Sequence, residues 1–259
     1  MQGAGDPSSP GDPTLSARKF EERLSAHHSP VELEERQRYF KAGAGGLGQA
    51  DVFLGVRMGQ VFALAKEFKA LPLTDIEALL DSPIHEVRAG GVKIMAYQAA
   101  AKSTSEQRRR ELFELYLRRH DRIDNWDLVD LGAWDVVGRY LDDKPRDPLY
   151  TLAASAVTWE RRTAILATLF FVRHGDLDDT FRIAVMLVHD PHDLVQKAVG
   201  GVLREAGKHD RARLVSFLDA HAATMPRTAL RYAVEHLDAD GRAYYLGLAK
   251  QGRIVAPEA

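Results

Sequence analysis

The sequence contains no cysteine in 259 residues. That excludes disulfides, thiolate metal sites and cysteine nucleophiles, and a reducing compartment fits. No apolar run approaches the ~18 residues needed to span a bilayer. Residues 1–13 are rich in Gly, Pro, Ser and Asp, without the basic start and apolar middle of a signal peptide. They read as a disordered tail on a cytoplasmic protein with no membrane partner. An excess of either charge is missing too. The 35 Lys and Arg against 37 Asp and Glu give a net charge of −2, so a globally basic nucleic-acid binder is not indicated. The basic residues suffice for a local basic face if they are segregated. Strand-like alternation is scarce, and no βαβ or hairpin pattern stands out.

What remains is helical periodicity with well-marked starts. Ser29-Pro30 opens a helix with Pro at its first position. Thr74-Asp75 opens a short helix ending near Ser82-Pro83. Thr158 caps a long one running to about Gly175, Asp190-Pro191 caps the next to about Gly207, and Met225-Pro226 precedes another. Helices of ~10–18 residues joined by short polar turns must bury their apolar faces on their neighbours, which predicts an all-α helical solenoid. An irregular helical bundle is the competing architecture. The expected organisation is one helical-repeat domain over 14–250, with a C-terminal tail over 251–259. The glycine-rich stretch 41–49 lacks the Gly-Lys-Ser/Thr and preceding strand of a phosphate loop. It reads as a connector, with a loop closing over a DNA backbone as the functional alternative.

Several clusters carry chemistry. In Asn125-Trp126-Asp127-Leu128-Val129-Asp130, Trp126 and Asp130 are four apart and share a helix face, Asp127 neighbours Asp130, and Trp134 continues the stripe. A buried carboxylate needs a partner or a cleft; pairing of Asp130 with Arg162 or Arg139 is the structural alternative. Arg161 and Arg162 lie in the first turn of a helix beginning near Thr158, a setting that favours an anion such as phosphate. The structural alternative is bridging to Glu160 and neighbouring helices. Gly200-Gly201, inside a helix, costs roughly 1 kcal/mol per glycine relative to alanine and points to a close approach by a helix or a ligand, although Gly90-Gly91 is a second such pair. Arg227 and Arg231 share a face, either as a phosphate stripe or as partners of Glu235 and Glu205. The run Arg108-Arg109-Arg110 reads as a solvated face. The ten histidines, among them His85, His120 and His189, have no metal-site spacing.

Together these segments resemble the AlkD-like DNA alkylation repair family. The matching pieces are Gly48-Gln-Ala-Asp-Val-Phe-Leu-Gly-Val-Arg57, Asn125-Trp126-Asp127-Leu128-Val129-Asp130, Trp159-x-x-Arg162, Gln196-Lys-Ala-Val-Gly200 with Leu203-Arg-Glu205, and Pro226-Arg-x-x-Leu-Arg-Tyr-Ala-Val-Glu235. The resemblance implies a HEAT-like solenoid with a concave, positively charged DNA-binding face. It implies a monofunctional DNA glycosylase acting in base excision repair on cationic N3- or N7-alkylated purines in double-stranded DNA. By match, Asp130 is the catalytic carboxylate, Trp126 packs on the lesion's deoxyribose and Arg162 contacts a backbone phosphate. Tyr39 and Arg57 lie near the groove. Arg161, Lys197, Arg204 and Arg231 complete the expected DNA contacts. A metal or other cofactor is not needed, and a monomer is expected, nucleoid-associated when bound to DNA.

One position departs from the family pattern. A tryptophan ordinarily follows the glycine of Gln-Lys-Ala-x-Gly, and Gly201 stands there. Either the lesion site is roomier, suiting bulky N7-guanine adducts of DNA-alkylating natural products and an antibiotic self-resistance role, or lesion contacts are weakened. Trp134 is the candidate replacement ring. Two other functions compete: a non-catalytic binder of damaged or branched DNA, and a helical-repeat protein-interaction scaffold.

Overall fold

A computed structural model describes residues 15–40 and 51–254. The tail 1–13, the glycine-rich stretch 41–49 and residues 255–259 lie outside the described residues. Among those described there is no β-strand, only an isolated parallel bridge between Val52 and Ile84. Most helices pack on near neighbours in the sequence, as in a helical-repeat fold. The chain divides into two compact units, one ending at Gly132 and one beginning at Ala133.

The first unit contains α1 (Ala17–Ser25), α2 (Pro30–Tyr39), α3 (Met58–Glu67), α4 (Leu73–Asp81), α5 (His85–Ala100), α6 (Glu106–Arg118) and α7 (Trp126–Gly132). α5 is its centre. It is buried around most of its circumference and packs on α3, α4, α6 and α7, the pattern of a core helix. Gly90 accounts for part of this closeness. A Cβ there would lie 2.3 Å from Cζ of Phe20, so the glycine is where α1 seats its aromatic ring. The arginine run is not simply solvated. Arg108 donates to Gln98 Oε1 at 2.9 Å, and Arg109 donates to the carbonyls of Ala99 and Ala101 at 3.1 and 2.9 Å. Arg109 thus caps the end of α5, whose last carbonyls have no helical partner, while Arg108 also donates to the Leu71 carbonyl at 3.3 Å.

A buried carboxylate positions the segment before α3. Glu86 is fully buried and accepts from the backbone N–H groups of Leu54, Gly55 and Val56 at 2.9, 2.9 and 3.3 Å. Three charge-assisted bonds offset a desolvation cost that an unpaired carboxylate would not survive. Phe53 is thereby held in the core and Arg57 at the surface.

The second unit opens on a π-helical turn (Ala133–Gly138). It continues through α8 (Asp147–Ala153), α9 (Thr158–Ala167), α10 (Leu169–Arg173), α11 (Asp178–Leu187), α12 (Asp193–His209), α13 (Arg211–His221), α14 (Arg227–Ala233) and α15 (Ala239–Ile254). α12 is its centre, packed on α9, α10, α11, α13 and α14.

The helix starts mostly fall where the sequence puts them, with informative shifts. Ser29 caps α2 with Pro30 in the first turn, and α14 follows Pro226. α4 begins on Leu73 behind Pro72, one residue before Thr74. Thr158 is the first helical residue of α9 rather than its cap, which is Val157. The long helix expected from there breaks at Thr168, a buried residue whose hydroxyl donates to the Ile165 carbonyl at 2.7 Å, a local bond that competes with the helical ladder. Asp190 does not cap α12. His192 does, and Asp190 accepts from the His192 N–H at 2.8 Å while holding Arg161. The α-helical period of α7 ends at Gly132, and Trp134 lies in the π-helical turn that follows.

Candidate functional site

Asn125 sets the start of α7. It is fully buried. Its side-chain carbonyl accepts from the Trp126 N–H at 2.8 Å, and its backbone carbonyl accepts from Val129 N–H at 3.2 Å. The helical turn that follows sends two carboxylates different ways. Asp127 is turned inward and 9% exposed, whereas Asp130 is exposed to solvent. Asp130 therefore escapes the desolvation cost that a buried stripe would impose.

Asp130 and Trp126 face a cleft of about 550 Å³ in the first unit. Its walls come from α2 (Glu32, Glu35, Arg36, Tyr39), the following Phe40, α3 (Met58, Phe62) and α7 (Trp126, Asp127, Asp130, Leu131). The aromatic side is layered from core to surface. Phe40 stacks on Phe53 with ring centroids 5.2 Å apart, Trp126 lies 5.9 Å from Phe40, and the exposed Tyr39 meets Trp126 edge-on at 6.0 Å. Four acidic residues and one arginine surround this wall. An anionic, aromatic cleft suits a flat or saturated group bearing positive charge. Arg57 lies in the same unit, its Nε 2.5 Å from Glu32 Oε1; this carboxylate raises the Arg57 pKa.

Behind the cleft is a buried ionic network that sequence spacing does not reveal. His85 is fully buried. Its Nε2 lies 2.7 Å from Asp127 Oδ2 and its Nδ1 3.0 Å from Asp51 Oδ2. Asp51 also bonds to Arg88 and accepts from Asn125 Nδ2 at 3.1 Å. Burial works against the charged imidazole, but the hydrogen bonds to Asp127 and Asp51 outweigh it and push the His85 pKa up to about 9. Burial likewise works against the Asp51 carboxylate, and the bonds to His85 and Arg88 outweigh it, holding Asp51 well below the usual carboxylate range. Nothing in a separation of 34 or 42 residues marks His85 as a partner of Asp51 and Asp127. The bridge between Val52 and Ile84 brings the first pair together.

The second unit holds the expected basic residues in two settings. Arg161 is engaged by its own fold: Nε lies 2.5 Å from Asp190 Oδ2, and Nη1 donates to the Ser155 and Ala156 carbonyls at 3.0 and 2.9 Å. Arg162 is 6% exposed. Lys197, Arg204 and Arg231 instead line one cleft of about 560 Å³, together with Thr228, Tyr232, Glu235 and Arg242. Thr228, Tyr232 and Arg242 were not signalled by the sequence; periodicity does not show that α15 brings Arg242 beside α12 and α14. Four cations face one carboxylate there. Arg204 pairs with Glu235, and Lys197 with Asp193 at 3.0 Å. Such exposed pairs are worth only about 0–1 kcal/mol, so a phosphate can compete for the cations.

The two glycines of α12 separate cleanly. A Cβ on Gly200 would sit 2.3 Å from the Ala229 carbonyl oxygen, so this residue exists for contact with α14. A Cβ on Gly201 would meet nothing within 4 Å. Gly201 lies on α12 between Lys197 and Arg204, and the space over it is open. The Arg173 guanidinium lies 3.6 Å from the ring centroid of Trp134.

A family model described as DNA alkylation repair enzyme matches residues 20–237. The chain belongs to that family. A solved structure, described as a predicted DNA alkylation repair enzyme from Enterococcus faecalis, is similar to it with a TM-score of 0.64 at 17% identity, over 82% of this chain and 98% of that one. At that identity the likeness establishes the fold. No curated protein matches the chain. As a member of the DNA alkylation repair enzymes, the protein has DNA as its partner and alkylated DNA as the context of its chemistry. Among the described residues no helix is long and apolar enough to cross a membrane.

Proposed function

We propose that this DNA alkylation repair enzyme is a monofunctional glycosylase, hydrolysing the N-glycosidic bond of cationic N3- or N7-alkylated purines as the first step of base excision repair. The observation that supports it most is the first-unit cleft, where the solvent-facing Asp130 carboxylate stands one helical turn from the Trp126 indole. An N7-alkylguanine already carries positive charge and needs no general acid. When its C1′–N9 bond breaks, the electron pair goes to the purine, which leaves neutral. The sugar is left with oxocarbenium character. Asp130 stabilises that cation and orients the water that adds to C1′ and then releases a proton. Trp126 and Tyr39 offer aromatic faces to the same charge.

The basic cleft of Lys197, Arg204, Arg231 and Arg242 serves as a DNA-backbone contact in this reading. Bulky N7-guanine adducts are the favoured finer substrate class, because the position where the family carries tryptophan is open space at Gly201. That substrate class is what a self-resistance role against DNA-alkylating natural products requires.

The test is base release from duplex DNA carrying 7-methylguanine or a bulky N7-guanine adduct. Free modified base and an abasic site are expected. Tight binding without release from either substrate would establish a non-catalytic binder. DNA affinity that does not respond to salt would favour a protein-interaction scaffold. In the same binding assay, Arg231→Ala should lower the slope of log K against log [salt] by about 0.9, the value for one lost phosphate contact. An unchanged slope would remove Arg231 from the DNA-contact set.

A further inference from the structure

His85 bridges the surface that carries Trp126 and Asp130 to the core beneath it. It stands at the first position of α5 with both ring nitrogens engaged, Nε2 by Asp127 of α7 and Nδ1 by Asp51 of the bridged segment. Neither carboxylate accepts a proton-poor nitrogen well. A neutral imidazole has one N–H and one lone pair, so one of the two contacts would set a lone pair against a carboxylate. Only the imidazolium satisfies both. The groups that face this pair are few. From the segment before α7 come Asp124 and Asn125, from α5 itself Arg88, and from the other side the rings of Phe40 and Phe53, 4.9 and 5.1 Å from the imidazole. Arg88 contacts Asp51 and Asp124, leaving Asp127 to His85.

Asp127 is the contact through which His85 reaches the cleft. One of its oxygens accepts from His85 and the other from the Leu128 N–H at 2.9 Å. Its neighbour Trp126 and, three residues on, Asp130 line the cleft that Asp127 also lines. We infer that His85 is a positioning residue, an imidazolium clamp that fixes Asp127 and with it the turn of α7 presenting Trp126 and Asp130, and that it neutralises Asp127 so that a cation in the cleft is drawn to Asp130. This inference rests on the glycosylase reading for its consequence, but not for the clamp itself.

The clamp has a pH signature that ordinary packing lacks. The His85 pKa is raised from 6.5 to about 9, so the clamp is complete at pH 6.5 and is lost as the pH rises through about 9. His85→Gln keeps the size and one donor but cannot hold both carboxylates or titrate. Two readouts separate the clamp from the glycosylase assignment. The first is fluorescence of the full-length protein carrying Trp134→Phe and Trp159→Phe, which leaves Trp126 as the single indole. A step in its emission near pH 9 is expected and should be absent when His85→Gln is added. The second is single-turnover base release between pH 6 and 10. The wild type should show an alkaline fall that His85→Gln lacks, with His85→Gln about tenfold slower at pH 7 and salt-dependent DNA binding unchanged. An identical fluorescence profile in the two proteins would overturn the clamp whatever the activity. A fluorescence step that depends on His85, without base release from any substrate, would instead leave the clamp standing and remove the glycosylase. Should His85→Gln not fold, the imidazole ¹⁵N resonances of wild-type His85 decide: a doubly protonated ring at pH 7.5 is expected, and a neutral ring would overturn the inference.

Discussion

Asp130→Asn is expected to lower base release by about 10²–10³-fold, the range seen when one preorganised electrostatic stabiliser is removed, while binding to undamaged DNA stays nearly unchanged. Coulomb's law accounts for the size. A carboxylate about 4 Å from a full positive charge interacts by roughly 4 kcal/mol at an effective dielectric of 20, and each 1.36 kcal/mol of barrier is about tenfold in rate. Asparagine has nearly the same shape but no net charge, so it loses the attraction to the developing oxocarbenium and keeps the packing. Trp126→Ala should combine slower release with weaker binding of the lesion, because the half-buried indole packs on Phe40 and Tyr39 and forms the wall itself. Single-turnover release from 7-methylguanine DNA measures both. Wild-type release by Asp130→Asn would remove Asp130 from the chemistry.

The helical-repeat fold was largely legible in the sequence because its rules are local. Caps, prolines and apolar spacing act within one or two turns, and the start of α2 at Ser29-Pro30 shows this directly. The errors also have local causes. Thr168 breaks a helix through a bond to its own backbone, and Asp190 serves Arg161 rather than a helix end. The cleft residues Trp126 and Asp130 were legible as a pair because they are one turn apart on α7. His85, Asp51 and Arg88 were not, since their partnership is created by tertiary contact between segments more than thirty residues apart. Sequence spacing also could not tell that Arg161 would be occupied by Asp190 while Lys197, Arg204 and Arg231 would share one cleft with Arg242.

Gly200 and Gly201 make adjacent positions with opposite expected responses. Gly200→Ala places a Cβ 2.3 Å from the Ala229 carbonyl oxygen. Backbone cannot step aside as a flexible side chain does, so α12 and α14 must separate, at about 1–3 kcal/mol or more. Gly201→Ala meets open space and removes a glycine from a helix interior, which should stabilise the protein by up to about 1 kcal/mol. Urea midpoints with unchanged slopes would measure the difference. Equal destabilisation by both would mean that Gly201 is packed after all. Gly201→Trp carries the argument from stability to substrate. The indole would be introduced on the α12 face that bears Lys197 and Arg204. If the open space receives the extra bulk of an N7-guanine adduct, the tryptophan should slow release of the bulky base far more than release of 7-methylguanine. If the glycine merely weakens contact with the lesion, the same substitution should speed release of both.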